Sequence, residues 1–167
     1  YHTVVIGTLQ RIVLSTGIFQ PAENEANVLA DYDLVLEDLD GNTLDLADWK
    51  GKPIFLNFWA TWCVPCKKEL PDLSFLNLKL KKHNIEVLTI SIDKKNIKEQ
   101  LSFLFNNGVS DLNHFFDNDM KIYKALKLRG IPTTILVNKK GLVVSKHEGI
   151  LKWGEAKIVN NIINLLN

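Results

Sequence analysis

The chain has 167 residues, 46% of them hydrophobic, which is enough for one well-packed domain and too few for two with separate cores. With 20 basic and 19 acidic residues the formal charge is +1, so nothing electrostatic argues for nucleic acid as a partner. Its 2 cysteines exclude a disulfide-rich scaffold and cannot complete a four-ligand zinc site without the 4 histidines, which are scattered along the chain.

The chain opens on Tyr1 and not on Met, as expected of a trimmed or a mature form, for which a targeting segment could be missing. Val4 to Phe19 is apolar, but it is short and carries Gln10 and Arg11 near its middle, so it is not expected to span a membrane. Val5, Leu9, Ile12, Val13 and Thr16 recur at helical spacing, which predicts an amphipathic helix lying on the domain, a partner or a membrane surface, with domain or partner as the default. Pro21 to Glu25 reads as a linker, giving an N-terminal extension over residues 1–27 and a domain over 28–167.

"YDLVLEDLDGNTLDL" alternates apolar and polar residues on both sides of Asp40-Gly41, the pattern of a β-hairpin whose turn needs the positive φ of glycine. After Lys50-Gly51-Lys52-Pro53, "IFLNFWA" is a nearly continuous apolar run and predicts a central strand covered on both faces. A helix is predicted from Cys63 to about Lys82, with Leu70, Leu73, Leu76 and Leu80 on its buried side and a kink at Pro71. "IEVLTISID" follows as a strand parallel to the first, since a helix of this length suits a right-handed βαβ crossover. Ile97, Leu101, Leu104 and Phe105 mark an inserted helix ending near Gly108, and "HFFDND" a short strand entering a helix from Asn118 to about Leu126. "GIPTTILVNKKGLVVSKHEG" predicts two strands around a turn at Asn138–Gly141, and Lys152–Leu166 a closing amphipathic helix. The order predicts a single α/β sheet flanked by helices.

Both cysteines lie in "FWATWCVPCKKELP", as Cys63-Val64-Pro65-Cys66. A bare CxxC is open to redox chemistry or to metal binding. At the junction of a buried strand and a helix, the first sulfur meets unpaired N–H groups and the positive end of the helix dipole, which favour thiolate and make Cys63 the nucleophile. Cys66, one turn further in, can attack a mixed disulfide formed at Cys63.

Together "NFWATWCVPCKKELP", "LEDLDGNTLDLADWKGKP" and "GIPTTILVNKKG" resemble the thioredoxin superfamily, and within it the membrane-tethered or exported thiol–disulfide reductases of the TlpA and ResA kind, from about Tyr32 to Gly149. The resemblance implies a thioredoxin-like three-layer fold: a mixed sheet between helices, with an N-terminal hairpin and a helical insertion after the second central strand. It implies a cis proline, Pro132, facing the sulfurs, with the Ile131 backbone and Thr133 beside it at the substrate strand. Asn57 stands where thioredoxins carry a buried aspartate, and an amide cannot take up a proton at neutral pH. The resemblance moves proton handling to Glu69, three residues past Cys66, in place of an ordinary surface acid. Trp62, Val64 and Pro65 are the expected substrate platform and loop, Trp59 core, Trp49 and Trp153 packing residues, and Asp93 a structural strand-end acid. Val64 stands where strong oxidants have histidine, which favours a reductant.

The function implied is reduction of protein disulfides in the periplasm or another extracytoplasmic space. The chain would act as a monomer, with no cofactor beyond the Cys63–Cys66 couple, and would be recharged by a membrane thiol reductase, with anchoring through an upstream segment. A cytochrome c apoprotein, a copper-site assembly protein or a wider set would be the substrate. Three readings compete with it. One is a Cu(I) delivery module, which needs His114 or His147 as a third soft ligand. Another is a disulfide oxidase or isomerase. The last is a thiol peroxidase, disfavoured because the Thr and Arg that peroxiredoxins place around their cysteine are not beside Cys63.

Overall fold

A computed structural model describes residues 19–21, 34–94, 97–117 and 119–167. The expected helix upstream of Phe19, the linker beyond Pro21 and the boundary near residue 27 lie outside them. The elements are β1 (Gln20–Pro21), β2 (Val35–Asp38), β3 (Thr43–Asp45), a 3-10 turn (Leu46–Trp49), β4 (Ile54–Trp59), α1 (Val64–Lys81), β5 (Glu86–Ser91), α2 (Ile97–Asn106), β6 (Asn113–Phe116), α3 (Lys121–Ala125), β7 (Thr133–Val137), β8 (Val143–Glu148) and α4 (Ala156–Leu166). Eight strands form one mixed sheet in the order β1-β8-β7-β4-β5-β6-β2-β3.

Every residue of β4 is buried, as its unbroken apolar pattern requires, and the strand lies between parallel β5 and antiparallel β7. β6 continues the parallel run beyond β5, and the β2–β3 hairpin adds to it through β2, with Gly41 at φ 82° in its turn. Leu70, Leu73, Leu76 and Leu80 of α1 are at most 1% exposed, so one face of this helix is given wholly to the core. α1 and α4 pack side by side over the sheet. This is the expected thioredoxin-like architecture, with α2 as the inserted helix. Among the described residues no helix is long and apolar enough to cross a membrane.

α1 runs as one element through Pro71, an exposed residue, so the hydrogen bond it forgoes lies on the side where water can replace it. Several local expectations are corrected. α3 begins at Lys121 and not at Asn118, because Met120 takes a left-handed conformation at φ 54° and the Asp117 carboxylate instead accepts the N–H groups of Ile122 and Tyr123 at 3.3 and 2.9 Å. α4 starts at Ala156, four residues later than Lys152. Pro21, expected in the linker, belongs to β1 and pairs with Ser145 at the sheet edge. Pro132, which without the family resemblance would read as a proline starting an edge strand, precedes an interior one, since β7 has β4 on one side and β8 on the other.

Candidate active site

β4 ends at Trp59 and α1 begins at Val64, so the four residues between them carry the chain from the sheet centre into the helix. This loop is fixed from below by Asp93, just past β5. Its carboxylate accepts the Thr61 N–H at 2.8 Å, the Thr61 hydroxyl at 2.9 Å and the Ser91 hydroxyl at 2.8 Å. Asp93 is thus structural, as expected.

Cys63 is the N-cap of α1, with extended backbone and its sulfur accepting the Cys66 N–H at 3.3 Å. The sulfur therefore occupies the position at which a helix N-terminus stabilises negative charge. Cys63 and Cys66 are joined in a disulfide, and the first is 5% exposed while the second is fully buried. Pro65 sits in the first turn, where its missing N–H leaves no hydrogen bond unmade.

The Ile131–Pro132 peptide is cis. Thr133 is in register with Phe58 of β4, so Pro132 stands level with the end of β4 from which the Cys63 loop departs. The Pro132 carbonyl accepts the Gly149 N–H at 2.9 Å, and Ile131 is half-buried. Thr133 is fully buried, and its hydroxyl donates to the Gly130 carbonyl at 2.7 Å, so its side chain shapes the proline loop. Trp62 and Val64 are 63% and 59% exposed and flank Cys63, forming with exposed Pro65 an apolar lip.

Glu69 is only 2% exposed, which excludes an ordinary surface acid. Its Oε1 accepts the Asn57 side-chain N–H at 2.8 Å and its Oε2 accepts the Trp153 indole N–H at 2.9 Å. Burial outweighs these donors and pushes the carboxyl up from 4.5 to about 7, with the nearby charge of Asp72 adding to the rise. At i and i+3 on α1, Cys66 and Glu69 share a helix face turned to the core. Asn57 Nδ2 also donates to the Thr134 hydroxyl at 3.2 Å, while Asn57 Oδ1 is buried with no partner among the described residues. A cleft of about 480 Å3 between α1 and the segment after β8, lined by Lys68, Glu69, Asp72, Ile150, Lys152 and Glu155, connects the carboxyl to solvent.

Trp153 is the residue that sequence reasoning missed, having been placed with the packing residues. It does pack, edge-on to Phe55 at 5.0 Å, but it also bonds the buried carboxylate. It lies outside the apolar stripe of α4, between Gly149 and Gly154, and no sequence signal there separates it from a packing residue. The histidines that a metal site would need are engaged elsewhere: His114 contacts the Thr89 hydroxyl and the Val109 carbonyl, and the His147 ring meets Trp153 at 6.1 Å. Among the described residues no three potential ligands cluster.

The model of the AhpC/TSA family matches residues 29–146. The thiol-disulfide oxidoreductase ResA of Bacillus subtilis is 33% identical over 132 residues, covering 79% of this chain and 71% of its own. For the ResA of Halalkalibacterium halodurans the identity is 35% over 115 residues, and this chain spans 64% of its length. A solved Chlorobium tepidum chain, assigned as a thiol:disulfide interchange protein DsbE, superposes with a TM-score of 0.75 over 87% of this chain and 100% of its own, at 23% identity, which supports the fold. The exposed lipoprotein thioredoxin Etrx1 of Streptococcus pneumoniae superposes with a TM-score of 0.69 over 81% of this chain and 100% of its own, at 26% identity. The matched span holds the cysteine pair, the cis proline and Glu69. The chain therefore belongs to the AhpC/TSA family, on its thioredoxin-fold branch of ResA-like thiol–disulfide oxidoreductases.

Proposed function

We propose that the protein reduces disulfides in other proteins outside the cytoplasm, with Glu69 as the proton acceptor for Cys66. The observation that carries this reading is the buried Glu69 carboxyl, on the Cys66 face of α1 and pushed up to about 7, near the operating pH of a general base. In the dithiol form the Cys63 thiolate attacks one sulfur of a substrate disulfide, forming a mixed disulfide and releasing the first substrate thiolate. Cys66 then loses its proton to Glu69 and attacks the Cys63 sulfur, which expels the second substrate thiolate and leaves the Cys63–Cys66 bond. The dithiol gives up two electrons, the substrate disulfide gains them, and the substrate thiolates take protons from Glu69 and water.

Trp62, Val64 and Pro65 offer a substrate chain an apolar landing surface, and the Ile131 backbone a polar one. The extracytoplasmic setting is supported by the exposed lipoprotein among the structural neighbours. A membrane thiol reductase is the fitting electron donor, and the couple needs no further cofactor.

The direction of the reaction is tested by equilibrating the Cys63–Cys66 couple with glutathione. A potential near the thioredoxin value of about −270 mV supports reduction, and one near the DsbA value of about −120 mV would make the protein an oxidant.

A further inference from the structure

We propose that Trp153 is a positioning residue that decides which oxygen of Glu69 carries the proton: its indole N–H holds Oε2 as a standing acceptor and leaves Oε1, facing Asn57, to be protonated. This rests on the reading that Glu69 takes the Cys66 proton.

Besides the Leu151 backbone N–H, two side-chain donors reach the carboxylate, and they differ in kind. An indole N–H can only donate, and the Trp153 ring is locked in place, being fully buried with its face or edge against Phe55, His147 and Phe19 at 5.0, 6.1 and 6.4 Å. A proton on Oε2 would weaken this bond, because the neutral carboxyl accepts less strongly than the carboxylate. The Asn57 amide is reversible. Rotation by 180° exchanges Nδ2 with Oδ1, which is fully buried and has no partner among the described residues. In that orientation Oδ1 accepts an O–H from Glu69 Oε1, and the Thr134 hydroxyl, now at 3.2 Å from Nδ2, turns from acceptor to donor. Asn57 can therefore serve both protonation states of Glu69, whereas Trp153 serves the oxygen that stays bare.

The charged or titratable groups around the carboxyl are Lys68 and Asp72 on α1, Lys152 and Glu155 across the cleft, and His147 of β8 behind the indole. Histidine is the one type among them that ordinarily titrates near neutrality, so a His147→Gln variant serves as the control.

The test follows resolution of a mixed disulfide at Cys63 against pH, in the full chain, together with the 13C shift of the Glu69 carboxyl. Removing the indole N–H takes a donor from the charged form, so Trp153→Phe moves both midpoints upward by about one pH unit or more, the size expected for one hydrogen bond to a charged group. A benzothiophene isostere of the indole at position 153 keeps the ring volume and gives the same shift with the circular dichroism of the native fold retained. His147→Gln gives none. Midpoints unmoved in the isostere while Glu69→Gln still abolishes the inflection would overturn the role of Trp153 alone. An inflection that persists in Glu69→Gln would overturn the base itself, and this inference with it.

Discussion

The first two turns of α1 touch two unlike regions, an exposed apolar lip at Trp62 and Val64 and a buried polar knot of Asn57, Glu69, Thr134 and Trp153. The lip is bare apolar surface directly beside the nucleophile, suited to a landing chain. In the knot the order is reversed, with polar groups held out of water at a cost that their mutual hydrogen bonds offset in part, Asn57 Oδ1 being left without a partner among the described residues. The cysteines divide along the same line, since Cys63 caps the helix beside the lip and Cys66 sits wholly within the core above the knot. In the proposed mechanism, recognition and nucleophilic attack fall to the first region and proton handling to the second.

The contrast can be broken most completely at the sulfurs. Cys63→Ser removes all disulfide reduction, whereas Cys66→Ser still attacks and accumulates a mixed disulfide, visible by mass spectrometry as a covalent adduct with substrate. Glu69→Gln leaves that first attack intact and slows resolution by about 100-fold or more, the usual contribution of a general base, measured by single-turnover kinetics. Asn57→Asp sets a second carboxyl at hydrogen-bond distance from Glu69, so the pair holds one proton at neutral pH and the apparent midpoint of resolution moves upward.

Stability reports on the knot independently. Because the folded carboxyl is raised from 4.5 to about 7, the folded chain keeps a proton that the unfolded chain has released between those values. Stability contributed by Glu69 is therefore highest at the acid end of this window and falls by at most about 3 kcal/mol as pH rises through it. Urea unfolding across the window shows this slope in the native chain and a flatter one in Glu69→Gln, whose amide can accept from Trp153 and donate to a rotated Asn57. The smallest effect belongs to the lip. Trp62→Ala raises KM for a protein substrate about 10-fold, with little change for a small disulfide such as oxidised glutathione and no change in the resolution midpoint.

Much of this arrangement is legible in the sequence because it is local. The apolar run of β4, the cysteines that follow it and the leucine stripe of α1 adjoin one another, so periodicity locates the nucleophile. Asn57 and Glu69 are 12 residues apart on adjoining elements, and family resemblance links them. Trp153 reaches Glu69 across 84 residues, from a segment outside any repeating pattern, where a tryptophan is indistinguishable from core filling. The start of α3 was lost for a related reason, since the left-handed Met120 that delays it has no signature in a residue type that rarely adopts that conformation.

The central claim is that a buried glutamate inside the redox motif, and not a strand aspartate, receives the Cys66 proton. Its most direct test is the pH dependence of mixed-disulfide resolution in the native chain and in Glu69→Gln. An inflection near 7 that disappears in the variant is the expected result. The same inflection in both proteins would contradict it.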